Sequence, residues 1–434
     1  MNKSISFKTL GCRLNQFEID ALATEFKNAG YRIVGPEADA DAYIINTCTV
    51  TNQSDVKSRN AINRIMRNHR AAVHVVTGCY VNSHKEELEN GGNIAYVIEN
   101  DKKRNIFSLL DSHFSGEITN PEALEKELFE YTPGTGGFHT RSMIKIQDGC
   151  DNYCTFCIIP YVRGRAVSRP VEKVLQNVSE VVAGGAKEIV LTGVNISRYG
   201  YDGIDFTGLI GKILEIPGNF RVRISSMEPD GIDERFYRLF GHPKMCPHLH
   251  LCLQSGSDGI LKKMRRMYGI TDFLEIAENL RSDNPMFNIT TDIMTGFPGE
   301  TGENHNETLD IIERVKFSHI HTFKYSVRQG TRAERMDGHI PERIKKRRSE
   351  DVRILGDKIK RLYRDSWVGK EQTLLIEQIR NGYAKGYGEY YTPIKVPVGD
   401  IGCCARDLKN SFMKVRITGI DDRDDLTLIA ETAV

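Results

Sequence analysis

Cys150, Cys154 and Cys157 stand in a Cys-x3-Cys-x2-Cys triplet, and that spacing constrains the chain more than any other feature. Three thiolates supply three of the four ligands that an iron–sulfur cluster takes, which leaves one iron open. An open metal position marks chemistry rather than scaffolding, as it does in catalytic as against structural zinc sites. The competing reading is core packing, since positions i, i+4 and i+7 share a helix face. The flanking residues count against it. Gly149, Asp151 and Asn152 are poor helix formers, and Pro160 would break a helix begun at Cys150. A tight loop wrapped around a cluster fits these residues.

Before the triplet, residues 4–10, 42–47 and 73–77 read as short strands, with helical patterns at residues 18–29 and 53–68. Strand–helix–strand alternation predicts a parallel sheet with right-handed crossovers. Such sheets bind ligands at the carboxyl ends of their strands. Each strand runs into a cysteine: Cys12, Cys48 and Cys79. They are expected to converge into a second three-thiolate site; the alternative is three buried cysteines at strand ends. The helix after Cys48 carries Lys57, Arg59, Arg64, Arg67 and Arg70 against Asp55. That is a phosphate-contacting patch or a solvated face. Residues 133–137, rich in glycine, mark a linker.

Residues 143–147 read as a strand entering the cysteine loop. Five more follow at 188–192, 222–225, 249–253, 289–294 and 320–325, separated by helical patterns. Six strand–helix units predict an open, partial (β/α)6 barrel with its site on the loops at the strand carboxyl ends. Those loops present Gly193 and Asn195, Ser226 and Glu228, and Gln254. His248, His250 and Cys252 alternate along one strand and share a face. Their spacing matches no zinc pattern, so they read as strand packing or site lining.

Residues 341–367 read as one helix with an apolar stripe of Ile344, Val352, Leu355, Ile359 and Leu362. Its basic run, Lys345-Lys346-Arg347-Arg348, is either solvated or an RNA contact. Beyond it, short alternating strands at 373–377, 390–396, 413–420 and 427–430 predict a small closed antiparallel β-barrel. Tyr383, Tyr387, Tyr390 and Tyr391 are placed to stack on bases or to fill the barrel core. Cys403 and Cys404 read as barrel residues. The expected division is α/β throughout the first two bodies: an amino-terminal domain at 1–118, a linker at 119–138, a core at 139–367 and a β-barrel at 368–434.

Composition narrows the setting. Ten cysteines in a chain without a signal-peptide pattern point to metal or redox chemistry rather than disulfides, and to the cytoplasm. No apolar run is long enough for a transmembrane helix, so no membrane is expected. A net charge of +1 leaves any nucleic-acid contact to local basic patches.

The triplet resembles the signature of the radical S-adenosylmethionine enzymes, and the string IQDGCDNYCTFCIIPYVRGRAVSR resembles their methylthiotransferase branch. The resemblance covers nearly the whole chain. It implies a radical cluster on Cys150, Cys154 and Cys157 whose open iron is chelated by S-adenosylmethionine. It implies an auxiliary cluster on Cys12, Cys48 and Cys79, making two [4Fe–4S] clusters in all. By the same resemblance Phe156 would lie against the adenine, Gly193 and Asn195 near the methionine end, and Ser226, Glu228 and Gln254 near the ribose or amino acid. The last barrel resembles an RNA-binding TRAM domain. The string TLGCRLNQFEID, with Arg13-Leu14-Asn15, resembles the subgroup acting on threonylcarbamoyladenosine. That implies methylthiolation of C2 of this nucleoside at position 37, in the anticodon stem-loop of tRNA. A flavodoxin or ferredoxin would supply electrons to a monomer. Two alternatives stand beside it. One is a sibling acting on isopentenyladenosine or a ribosomal protein. The other is a two-cluster electron-transfer protein with an RNA-binding tail.

Overall fold

The computed structural model describes residues 3–117, 119–131, 140–401 and 408–433. The amino-terminal body runs β1 (Ser4–Thr9), α1 (Arg13–Asn28), β2 (Arg32–Val34), β3 (Ala42–Thr47), α2 (Asn52–Asn68), β4 (Val73–Gly78), α3 (Cys79–Asn90), β5 (Tyr96–Ile98) and α4 (Ile106–Phe114). Its sheet has the order β2-β1-β3-β4-β5, with every pairing parallel. β3 is central and buried along its whole length, which is why residues 42–45 are apolar in an unbroken run rather than alternating. α1 begins at Arg13, not at residue 18. Asn15 and Glu18, 1% and 0% exposed, are buried among Leu14, Phe17 and Leu22 and interrupt the apolar period.

The central body follows with β6 (Arg141–Lys145), β7 (Gln147–Asp148), α5 (Ile159–Arg163), β8 (Val167–Ser168), α6 (Val171–Ala183), β9 (Glu188–Thr192), β10 (Gly200–Tyr201) and β11 (Ile204–Asp205). Then come α7 (Phe206–Leu214), β12 (Arg221–Ile224), α8 (Glu234–Leu239), β13 (His248–His250), α9 (Asp258–Lys263), α10 (Ile270–Ser282), β14 (Asn288–Thr295), α11 (Gly302–Val315), β15 (His319–Lys324) and α12 (Glu342–Asp365). Parallel pairing gives two sheets, β6-β9-β12 and β13-β14-β15. Bridges between Val222 and Met245, and between Met227 and Leu251, join them into a partial barrel. Val171, Val174, Val178 and Val181 on α6 pack its apolar face onto this core.

The barrel is open between β6 and β15, and the amino-terminal body fills the gap. Glu18 of α1 reaches Lys145, at the end of β6, at 2.9 Å. Arg328, beyond β15, meets Asp55 of α2 at 2.6 Å.

The basic run on α12 is split. Lys345 donates to the Tyr325 carbonyl at 3.0 Å and Arg348 pairs with Glu300 at 2.6 Å, both buried. Lys346 and Arg347 face solvent. The run is therefore neither a solvated face nor a continuous RNA contact. Leu362 also leaves the expected stripe, at 59% exposed.

The last body is a closed barrel of β16 (Glu371–Arg380), β17 (Tyr383–Tyr387), β18 (Pro393–Pro397), β19 (Phe412–Asp421) and β20 (Thr427–Thr432) in the order β16-β17-β18-β20-β19. Two points differ from the sequence reading. β17 was not expected; its Gly386 lies so near β16 that a Cβ would sit 1.8 Å from the Leu375 carbonyl oxygen. The β18–β20 seam is parallel, so the barrel is not antiparallel throughout. Glu188 holds Arg221 at 2.6 Å and Arg223 at 2.8 Å. Those guanidinium groups donate to carbonyls of the last barrel: Thr373 and Tyr387 at 2.9 and 3.0 Å, and Glu389 and Gly388 at 3.4 and 3.5 Å. Cys403, Cys404 and the turn at 133–137 lie outside the described residues. Among the described residues no helix is long and apolar enough to cross a membrane.

Candidate active site

The cysteine triplet sits on a loop clamped at its base by the antiparallel pair β7–β8. Gly149 opens it with φ +68°, and a Cβ there would lie 1.9 Å from the Arg165 carbonyl oxygen, so only glycine fits. Cys150 N–H donates to the Gly164 carbonyl at 3.1 Å and Cys157 N–H to Cys154 at 2.9 Å. Thr155 is tied to the loop after α9 through the carbonyls of Met264 and Lys263, both at 3.0 Å. N–H donors reach the sulfurs: Asn152 N–H on Cys150 at 3.5 Å, Asn195 Nδ2 on Cys150 at 3.8 Å, and Arg266 Nη1 on Cys154 at 3.2 Å. Burial, with Cys154 and Cys150 nearby, pushes the Cys157 thiol up to about 12.

The other expected residues fall around this loop. Phe156 packs edge-on against Phe297 at 6.4 Å, within a small apolar cluster. Gly193 is tightly enclosed, since a Cβ would come within 2.8 Å of the Gln147 carbonyl oxygen. The backbone N–H groups of Val194 and Asn195 both donate to Gln147 Oε1, at 3.0 and 2.7 Å. Glu228 pairs with Arg266, the same arginine that reaches Cys154. Gln254 takes φ +68°, uncommon for a side-chain-bearing residue, and its buried Oε1 has no donor among the described residues.

Cys12, Cys48 and Cys79 follow β1, β3 and β4 at their carboxyl ends, and the fold brings them together. Cys12 caps the amino terminus of α1 and Cys79 opens α3, so each thiol meets the positive end of a helix. A Cβ on Gly11 would sit 3.1 Å from Cys48 Sγ. Asn100 Nδ2 lies 3.5 Å from Cys79 Sγ. Desolvation raises the Cys12 and Cys48 thiols, and the Cys79 thiol adds to both. All three line a cavity of about 730 Å³ together with Gly193, Ser226, His248, His250, Arg364 and Tyr391. The cavity runs from the cysteines and the loops after β9 and β12 down to the first residues of β13, β14 and β15, where α12 and the last barrel meet it.

Between the two cysteine trios lies a buried charge web that sequence reasoning missed. Arg163, six residues past Cys157, donates to Glu18, to Asp148 and to the side-chain oxygen of Asn15. Lys103 and Lys145 reach the same Glu18 at 2.5 and 2.9 Å. Burial would push the Glu18 carboxyl up, but Arg163, Lys103 and Lys145 outweigh it and hold it well below the usual carboxylate range. Arg163 lies within the string that first drew attention to the triplet, but a single charged residue carries no spacing signal.

His250 accepts or donates to Thr290 at 2.9 Å and meets Asp292 at 3.4 Å. The ligand atoms of His250, Cys252 and Asp292 lie within 4.8 Å of one another. His248 and His250 line the cavity, in line with a lining role. Two of the four tyrosines face the same space: Tyr387 and Tyr391 stack on each other at 4.8 Å and border the cavity. Tyr390 instead packs on Trp367 at 4.5 Å, in the barrel core.

Residues 4–99 match the Uncharacterized protein family UPF0004, and residues 144–312 match the Radical SAM superfamily. The chain is 38% identical over 393 residues to the threonylcarbamoyladenosine tRNA methylthiotransferase MtaB of Thermotoga maritima, covering 90% of each. The chain belongs to the radical S-adenosylmethionine methylthiotransferases. Bacillus subtilis has a relative of the same name, 37% identical over 86% of this chain and 85% of its own. A tRNA-2-methylthio-N(6)-dimethylallyladenosine synthase of Fusobacterium nucleatum is 34% identical over 86% of this methylthiotransferase and 88% of its own length. Among solved structures, the radical S-adenosylmethionine methyltransferase TsrM of Kitasatospora setae superposes with a TM-score of 0.55 at 15% identity, over 75% of each chain, a likeness of fold.

Membership brings S-adenosylmethionine and [4Fe–4S] clusters, and this methylthiotransferase has residues that fit them. Each trio consists of free thiols, and nitrogen donors approach Cys79, Cys150 and Cys154, as expected of groups that stabilise thiolate charge on cluster ligands. The orphaned Oε1 of Gln254 and the closed cradle at Gly193 fit a polar ligand beside the triplet.

Proposed function

We propose that this methylthiotransferase modifies C2 of N6-threonylcarbamoyladenosine at position 37 of tRNA, within the anticodon stem-loop. One observation carries the reading: Cys12, Cys48 and Cys79, at strand ends of the amino-terminal body, open on a cavity of about 730 Å³ whose wall includes Ile159 and Arg163, just past the triplet, and Gly193 on the loop after β9. The substrate follows the relatives whose names specify threonylcarbamoyladenosine, four at 36–38% identity and a fifth at 32%, beside dimethylallyladenosine synthases at 31–34%.

In this reading Cys150, Cys154 and Cys157 hold the radical cluster, and Cys12, Cys48 and Cys79 the auxiliary one. Bound there, the clusters and S-adenosylmethionine supply the hydrogen-abstracting radical and the methylated sulfur. The protein's own residues orient and insulate. Gln147 fixes the loop after β9 through two backbone N–H groups, so Asn195 faces Cys150. Arg266, pinned by Glu228, places a positive charge on Cys154. Phe156, Gly193, Asn195, Ser226, Glu228 and Gln254 form the S-adenosylmethionine surround. The requirement on the fold is proximity: the substrate carbon must meet both sites in one pocket. Electrons come from a flavodoxin or ferredoxin, and the protein works as a cytoplasmic monomer.

The test is anaerobic reconstitution with S-adenosylmethionine and a threonylcarbamoyladenosine stem-loop, followed by nucleoside mass spectrometry. The 2-methylthio product with release of 5′-deoxyadenosine is expected. A product formed only on isopentenyladenosine, or on a ribosomal protein, would move the substrate to a sibling. Cluster reduction without 5′-deoxyadenosine would leave an electron-transfer protein.

A further inference from the structure

The cavity is lined by a buried cation that no carboxylate hydrogen-bonds among the described residues. Arg364, in the last turn of α12, is 4% exposed and lines the cavity. Its buried Nε and Nη1 find no acceptor among the described residues. The carboxyl end of a helix favours a cation, but that benefit belongs to an exposed side chain as well and does not account for burial. A buried guanidinium without acceptors carries a desolvation cost that a bound anion removes.

The neighbouring groups leave that role open. Lys360, one turn earlier on α12, also lines the cavity but is engaged by Asp425 at 2.6 Å. His319 is held down to about 4 by burial, His321 and Lys360, and burial with Arg223 keeps His248 well below its ordinary value, so both imidazoles are neutral. Asp292, the other acid on the lining, is taken by His250. Arg364, with the Tyr363 ring beneath it and Asp425 engaged by Lys360, therefore remains the guanidinium with open donors at the end of the cavity far along the strands from Cys12, Cys48 and Cys79.

We propose that Arg364 receives the carboxylate of the threonylcarbamoyl arm. This rests on the substrate reading above and sharpens it. The two nucleosides named for the relatives differ at N6: a dimethylallyl arm is wholly apolar, whereas a threonylcarbamoyl arm ends in a carboxylate. An apolar arm has no use for a buried guanidinium, and a carboxylate matches its planar fork. C2 and C6 flank N1 of adenine, so with C2 turned toward the cysteines the arm on N6 runs on along the cavity, toward α12.

The experiment uses the full-length reconstituted enzyme and synthetic anticodon stem-loops carrying N6-threonylcarbamoyladenosine, its methyl ester, or plain adenosine. Binding is read by fluorescence anisotropy and methylthiolation by mass spectrometry, with thermal melting as the check on folding. Wild type should bind the acid at least about tenfold more tightly than the ester. Arg364→Gln should bind acid and ester alike, and Arg364→Lys should recover part of the difference. A wild-type enzyme indifferent to esterification overturns the proposal without need of any variant. So does an Arg364→Gln protein that weakens all three RNAs equally, the mark of a phosphate contact. If wild type leaves the threonylcarbamoyl RNA unconverted yet modifies an isopentenyl one, the substrate reading itself fails, and this proposal with it.

Discussion

Arg163 on α5 donates to Glu18 on α1 at 3.1 Å, with the two side chains 2% and 1% exposed. The contact crosses from the short helix behind the triplet to the helix that Cys12 caps. Glu18→Ala leaves Arg163 and Lys145 to share Asp148 and strips Lys103 of its carboxylate, and removing one partner of a buried ion pair costs about 3–5 kcal/mol. Urea unfolding at neutral pH should register that loss. A variant within about 0.5 kcal/mol of wild type would mean that the web contributes nothing to docking the two bodies.

The two cysteine trios should fail separately. Cys154→Ala removes a ligand from a site that already lacks one, and reconstituted iron should fall to about half of wild type with no 5′-deoxyadenosine formed. Cys48→Ala should still cleave S-adenosylmethionine but give no methylthio product. Full methylthiolation by Cys48→Ala would remove the auxiliary site from the scheme.

Glu188 supplies a pH signature. Burial alone would raise its carboxyl, but Arg223 and Arg221 outweigh that and hold it well below the usual carboxylate range. A depressed folded value stabilises fully above the unfolded pKa of about 4.3, and the stabilisation is lost as pH falls through the folded value. The melting advantage of wild type over Glu188→Gln should therefore be flat above about pH 5 and shrink below about pH 4. An advantage that grows on acidification contradicts the assignment.

The exposed basic face of α2 is the surface left for RNA phosphates once α12 is discounted. Lys57 and Arg67 are exposed there, and Arg70 is exposed just past its end. Replacing Lys57 and Arg67 by alanine should lower the slope of log affinity against log salt by about 2 while leaving the preference among modified bases unchanged. An unaltered slope would place the phosphate contacts elsewhere.

Much of this architecture was legible because its signals are local. The strands of the core are short apolar runs bounded by small residues, and β9 was placed to the residue. The two cysteine trios follow from spacing in one case and from strand ends in the other. What stayed hidden is burial that contradicts residue type. Glu18, Lys103, Lys145 and Arg223 are fully or almost fully buried, whereas charged residues read from sequence as surface. The same error spread Lys345 and Arg348 across a supposed basic face. Arg364 escaped notice because only the fold reveals that its Nε and Nη1 meet no acceptor among the described residues.

The seam between the core and the last barrel has a further implication. Arg221 and Arg223 grip the carbonyls of Thr373, Tyr387, Gly388 and Glu389 rather than their side chains. Apart from Gly388, where a Cβ would strike Gln372 Oε1 at 1.9 Å, and Tyr387, whose ring lies 4.8 Å from the Arg141 guanidinium of β6, the identity of these residues does not matter to these bonds. Tyr387 nevertheless borders the cavity. The carbonyl half of the mooring is thus indifferent to substitution, but Tyr387 and Tyr391 meet Arg141 and Arg223 through their rings, so a change of chemistry on the wall that the barrel contributes calls for a matching change on the core side.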